Sequence, residues 1–215
     1  MGVATRSYRQ HCGAAAALDA IGERWSLLVV RELLDGPKRY SDLLGGLPGV
    51  ATDVLAARLR HLEAEGIVAR RSLPPPAASR VYELTGEGRR LEPLLVELTR
   101  WGLGRLDSHP PDGVAFRAHW LSLPLRAMFR PGRLGGRTLV VTIEVDGEPV
   151  TAQFTDSDVT VTPGPSPDAT VTVRGTLEAL TALARSGPAT EPSPPPQVTG
   201  PAGDVAALNA ALGLG

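Results

Sequence analysis

The stretch VATDVLAARLRHLEAEGIVARR, residues 50–71, decides how the first half of the chain folds. Leu55, Leu59 and Leu62 recur at i, i+4 and i+7, which sets them in one apolar stripe on a helix. Gly66 stands just past that stripe, where a helix end often requires a positive φ. Ile67 to Leu73 then reads as a strand carrying Arg70 and Arg71, and Arg80 to Thr85 as a second strand. The loop between them, PPPAAS, is too rich in proline to join a ladder. With the leucines turned inward, the opposite face of the helix carries Asp53, Ala57, Arg60, His61 and Ala64. Thr52, Ala56 and Arg58 lie at its start and flanks.

Upstream, Ala14, Leu18 and Ile21 fall at helical spacing. Trp25, Leu28, Val29 and Leu33 continue on a second helix that Gly36-Pro37 ends. Ser41 is placed to cap a short third helix over 42–47, and Leu47-Pro48-Gly49 turns the chain. Downstream, Thr85 is placed to cap a last long helix with Leu91, Leu94, Leu95, Leu98 and Trp101 along one side. Helix, turn, helix and a two-stranded hairpin make the winged helix-turn-helix layout. Its physics suits DNA: a helix fills the major groove, and Arg70, Arg71 and Arg80 on the wing are set to meet phosphate or a minor groove.

The chain has 215 residues, enough for one large domain or two small ones. No apolar run approaches the ~18–20 residues that span a bilayer. His11, Cys12 and Asp19 interrupt what would be a signal peptide's apolar core, so a cytoplasmic protein with no membrane partner is expected. Cys12 is the sole cysteine, which rules out an intrachain disulfide. The net charge of −1 hides an asymmetry. Residues 1–107 carry 15 Lys/Arg against 13 Asp/Glu, and residues 108–215 carry 7 against 10. The halves differ in sign, as they do if only the first meets phosphate.

The segments LDAIGERWSLLVVRELLDGPKRYSDLL (18–44), LPGVATDVLAARLRHLEAEGIVARR (47–71) and RVYELTGEGRRLEPLLVELTRWG (80–102) resemble the HxlR-type winged-helix regulators, relatives of the MarR group. The resemblance implies a homodimer paired through the first and last helices of the domain, each protomer offering one reading helix to half of a pseudo-palindromic operator in double-stranded DNA. It also implies that Thr52 to Arg60, with Asp53, Ala56, Ala57 and Arg58, form the reading helix. Arg39, Tyr40 and Ser41 would touch the DNA backbone, and Arg70, Arg71 and Arg80 would form the wing. Two departures stand out. Ala51 sits where relatives usually carry a capping Ser, so Thr52 is expected to take over the cap. Ala56 and Ala57 replace longer polar side chains, leaving Thr52, Asp53, Arg58 and Arg60 as direct readers and some of the selectivity to DNA shape. Cys12 matches the family's N-terminal cysteine, which in some members senses electrophiles or oxidants. It is the candidate redox residue here, with a small residue at a helix start as the other reading.

At SHPPDG, 108–113, the pattern changes, which suggests a second domain over 108–215 after a first over 1–107. Phe116, Trp120, Leu123, Leu125, Met128 and Phe129 form an apolar helical region broken at Pro124. Leu139 to Val145 alternates as a strand, Asp146-Gly147 signals a hairpin, and strands follow over Val150–Thr155, Val159–Thr162 and Ala169–Arg174. Leu177–Arg185 and Val205–Leu212 read as helices around a proline-rich loop, 187–197. The expected fold class is therefore α+β, a winged helix-turn-helix followed by a β-meander sheet covered by helices. PDATVTVRGTLEALTALARSG (167–187) and VTGPAGDVAALNAALG (198–213) resemble a small sterol carrier protein type two-like domain. That resemblance implies a hydrophobic small-molecule effector, with Phe116, Trp120, Met128, Phe129 and Phe154 near the mouth of its tunnel. Their other reading is plain core.

Catalytic signatures are missing: no GxSxG, HExxH, Walker A or GxGxxG stands in its required context, and the four histidines lack metal-ligand spacing. An enzyme, a cofactor and a metal are not expected. The function expected is a ligand-tuned, DNA-binding transcriptional regulator. The alternatives are a hydrophobic small-molecule carrier, or a docking module, whose winged helix does not bind DNA.

Overall fold

The computed structural model describes residues 7–74, 79–107, 113–185 and 194–214. Most of the 108–113 break, four residues of the wing loop and most of the 187–197 loop lie outside the described residues. The chain divides into two compact units, the first ending at Leu95 and the second starting at Val96. Both mix helix and strand.

The first unit holds α1 (Gly13–Ile21), α2 (Ser26–Leu34), β1 (Lys38–Arg39), α3 (Tyr40–Gly46), α4 (Thr52–Ala64), β2 (Val68–Ser72), β3 (Arg80–Leu84) and α5 (Gly86–Arg89). Its core is a leucine and valine cluster: Val29, Val30, Leu33, Leu43, Leu47, Leu55, Leu59 and Leu62 are sealed from solvent. The α4 stripe is thus inward as expected. Its end is a Schellman turn, with Gly66 at φ 68°, the Gly66 N–H donating to Glu63 O and the Ile67 N–H to Leu62 O. The wing strands pair antiparallel, with Arg71 opposite Val81 and Ser72 opposite Arg80, and the two-residue β1, too short for a periodic signal, adds to the outer edge of β3.

Three caps differ from expectation. Asp42, not Ser41, closes the start of α3, its carboxylate accepting from the Arg39 N–H at 3.0 Å, so the helix begins at Tyr40. Ala51 is the N-cap residue of α4 and Thr52 its first helical residue; Thr52 therefore sits one position too late to cap. Thr85 does cap, accepting from the Gly88 N–H at 3.0 Å, but the helix it starts is the four-residue α5. The long helix, α6 (Glu92–Leu103), starts afresh with Pro93 in its first turn, where a missing N–H costs nothing.

Beyond α6 the second unit holds a short 3-10 turn (Ala118–Leu121), α7 (Ser122–Met128), β4 (Leu139–Val145), β5 (Glu148–Phe154), β6 (Val159–Pro163), β7 (Val171–Gly175), α8 (Leu177–Ala184), β8 (Gln197–Thr199) and α9 (Ala202–Leu212). Pro124 does not break the helical region; it lies in the first turn of α7. Asp146 and Gly147 both have positive φ, 50° and 85°, as a type I′ hairpin requires. The sheet is a meander only over β4, β5 and β6. β7 crosses back to the free edge of β4 and runs parallel to it, giving the order β6-β5-β4-β7-β8. The loop over 164–170 carries the chain from β6 past β5 and β4 to that edge, and α8 follows β7 and leads into the antiparallel β8. One face is apolar, with Val141, Ile143, Val150, Ala152, Phe154, Val159, Val171 and Val173, and joins Leu125 of α7 and Ala207, Leu208, Ala211 and Leu212 of α9 in a single core. On the other face one threonine from every strand stands in register: Thr162, Thr151, Thr142, Thr172 and Thr199.

Candidate nucleic-acid interface

The helix-turn-helix is braced from behind by a buried charge. Glu32 of α2 accepts from Arg31 and from Lys38 Nζ, both at 2.8 Å. Arg31 also reaches the Gly46 carbonyl at 3.4 Å. Burial lowers the Arg31 pKa and the adjacent Glu32 charge opposes that shift. A Cβ on Gly46 would collide with the Glu32 carboxylate, so glycine is required at the end of α3 for close approach rather than for φ. A buried pair of this kind costs roughly 3–5 kcal/mol when one partner is removed. Glu32 carries no periodic signal and sequence reasoning passed it over.

A hydrogen-bonded path links the candidate contact residues. The Tyr40 hydroxyl donates to the Thr52 carbonyl at 2.7 Å, tying α3 to the start of α4. The neighbouring Arg39 donates from Nε to Ser79 Oγ at 3.2 Å, beside Arg80 on the wing. Ser41 is exposed and donates to Asp42. Thr52, Asp53 and Arg60 are exposed on α4, while Ala56 and Ala57 are half-buried. Tyr40 and Arg39 thus tie the start of α3 to the start of α4 and to Ser79 beside β3.

The six candidate arginines fall into two groups. Arg58 pairs with Glu23 at 3.6 Å, Arg70 with Glu63 at 3.2 Å and Arg71 with Glu83 at 3.0 Å. Arg70 also lies over the Tyr82 ring, 5.1 Å from its centre. Arg39, Arg60 and Arg80 are exposed and, among the described residues, make no ion pair. His61 departs from the expected outward face, while Arg58 lies on a flank as expected. Both are half-buried on a flank of α4, and His61 Nε2 lies 2.9 Å from the Ala20 carbonyl. Sequence reasoning missed the acidic partners. Glu83 was within reach, because it sits diagonally across the ladder from Arg71 once the hairpin register is set.

Cys12 is the exposed N-cap residue of α1, and the N–H groups of Ala15 and then Ala14 lower its pKa by favouring the thiolate. In the second unit Phe116, Trp120, Met128 and Phe129 are half-buried. Phe116 and Trp120 meet edge to face at 6.3 Å. Phe154 departs from the expected mouth position: it is wholly enclosed, 6.2 Å from Phe129, because it points into the apolar face of the sheet. Among the described residues no group of three His, Cys, Asp or Glu could hold a metal, and no helix is long and apolar enough to cross a membrane.

Comparison with known proteins bears on the first half. The HTH-type transcriptional regulator YvaP of Bacillus subtilis, itself uncharacterized, is 37% identical over 91 residues, spanning 42% of this chain and 84% of YvaP. The likewise uncharacterized HTH-type regulator sll1512 of Synechocystis is 40% identical over 93 residues, 42% of this chain and 67% of its own. The reduced form of the transcriptional regulator YodB from B. subtilis, a solved structure, is 30% identical with a TM-score of 0.40, covering 47% of this chain and all of that one. A family model described as HxlR-like helix-turn-helix matches residues 20–110, the span that holds α2 to α6, and the chain belongs to that family.

Proposed function

We propose that this protein is a homodimeric, DNA-binding transcriptional regulator. α4 of each protomer enters the major groove of one half-site, and the wing rests on the sugar–phosphate backbone. The observation that carries this reading is the path from Thr52 through Tyr40 and Arg39 to Ser79, with three exposed arginines that make no ion pair among the described residues, Arg39, Arg60 and Arg80. Charges left unpaired at a surface suit a polyanion. The relatives, named as HTH-type transcriptional regulators, support the same reading.

Pairing through α1 and α6 is supported by Leu94, Leu98 and Trp101, which stand at i, i+4 and i+7 on α6 and are exposed, Trp101 to 63%; Leu18 on α1 is exposed as well. A twofold dimer calls for half-sites about one helical turn apart. The DNA-reading and dimerising part is taken as 1–107. The part from 108 to 215 binds a hydrophobic small molecule beside Phe116, Trp120, Met128 and Phe129. Such a molecule changes operator affinity only through unequal binding to two states of the dimer. Cys12, exposed and with a lowered pKa, suits a redox or electrophile input.

Fluorescence anisotropy tests the core of this proposal. The DNA directly upstream of the protein's own gene is compared with shuffled DNA over a salt series. Selective binding is expected, with an apolar ligand shifting it. Equal, weak binding to both duplexes would overturn the regulator reading and favour a small-molecule carrier.

A further inference from the structure

α4 is held in two ways. Leu55, Leu59 and Leu62 fix its depth, but a leucine stripe alone resists rotation about the helix axis poorly, since apolar contacts have no direction. The second hold is polar and comes from the end of α1 and the turn after it. The Ala20 carbonyl accepts from His61 Nε2 at 2.9 Å, and Glu23 lies 3.6 Å from the Arg58 guanidinium. Arg58 and His61 are three residues apart, so they stand together on one flank of α4, while Arg60 faces away from both. The turn they grip is itself firmly shaped. Trp25 adopts φ 79°, a costly left-handed conformation for a bulky residue, and the Ser26 N–H returns to Glu23 O at 3.0 Å.

We propose that Arg58 and His61 are positioning residues that set the rotation of the reading helix from the α1–α2 turn, with Glu23 as the anchoring carboxylate, and that neither touches DNA. This rests on the reading of the chain as a DNA-binding regulator. A rotation of about 10° moves the tip of an arginine side chain on α4 by roughly 1–1.5 Å. That is enough to spoil a bidentate contact with a base edge, yet it leaves phosphate attraction almost intact. Loss of the grip therefore lowers selectivity rather than total DNA binding.

The test uses the full-length protein. Glu23→Gln and Arg58→Glu should each weaken binding to the best operator by about threefold to fivefold, the size of one partly exposed ion pair. For Glu23→Gln, binding to random DNA and the salt slope should stay unchanged. The double swap Glu23→Arg with Arg58→Glu should restore most of the selectivity. If Arg58 is instead a DNA contact, the swap fails to restore binding, and Arg58→Ala alone lowers the salt slope by about one per protomer. Either result overturns the proposal. Hydrogen exchange of the DNA-free protein gives an independent reading, useful even if no selective operator exists. Glu23→Gln and His61→Ala should speed exchange of the α4 amides, and unchanged protection there would also refute the grip.

Discussion

Six arginines were candidates for the interface, and three of them already have a carboxylate; that division predicts how DNA binding responds to salt. Among the described residues Arg39, Arg60 and Arg80 have no ion pair, so the proposed dimer would offer six such guanidinium groups and make about six phosphate contacts. At about 0.9 counterions released per contact, the logarithm of affinity should fall against the logarithm of salt with a slope near −5, roughly a thousandfold loss between about 50 and 200 mM. If Arg58, Arg70 and Arg71 also left Glu23, Glu63 and Glu83 for DNA, the slope would approach about −11. Anisotropy titrations of one duplex at four or five salt concentrations separate these values. Arg80→Ala removes two contacts per dimer and should bring the slope to about −3.5, while Arg70→Ala, whose charge is spent on Glu63 and Tyr82, should leave it near −5. A slope of about −11 in the wild type, or an Arg80→Ala slope equal to it, would refute the reasoning.

Gly88 of α5 lies so close to β2's entry that a Cβ would collide with the Ile67 carbonyl and stand 3.1 Å from Leu84 Cδ2. Gly88→Ala should cost about 1–3 kcal/mol and lower the thermal midpoint of the first unit by several degrees, and an unshifted midpoint would show that α5 slides freely. Phe154→Ala empties the centre of the second unit's core and should cost about 3–5 kcal/mol in urea unfolding; a loss under about 1 kcal/mol would mean that the site collapses around the gap. The proposed pairing through α6 predicts that the wild type sediments as a dimer and Leu98→Asp as a monomer, and an unaltered dimer in the variant would move the pairing surface off α6. The lowered pKa of Cys12 means that its thiolate is present at lower pH than that of an ordinary thiol. Its alkylation rate by iodoacetamide should therefore rise below the pH at which free cysteine responds, and a midpoint at or above that pH would contradict the role of the α1 N–H groups.

The residues most legible in the sequence were those with a period. The α4 leucines and the alternating β4 could be read because burial repeats at 3.6 or 2 residues, and the Gly66 stop because a helix end there takes a positive φ. Caps were less legible. Ser41 and Thr52 have the right chemistry but stand two positions and one position too late, and only backbone geometry reveals that Arg39 and Ala51 hold the cap sites. The crossover of β7 onto β4 carries no local mark at all, since a parallel neighbour and a meander neighbour alternate in the same way. At the candidate interface, residue type identified the arginines, but it could not say which were already neutralised. Glu23 and Arg58 are 35 positions apart, and their meeting depends on how α1 and α4 cross.

The parallel return of β7 also sets an order of events during folding. β4 can zip against β5 through a two-residue turn as soon as residue 154 exists, and β6 follows at once. Its other edge has no partner until residues 171–175 have been made, and closing that longer loop is the slower step. In the meantime LVVTIEV presents an unpaired, apolar strand edge, the kind that captures other chains. Aggregation of this protein during synthesis should therefore begin at β4, the strand that is most protected once the sheet is complete.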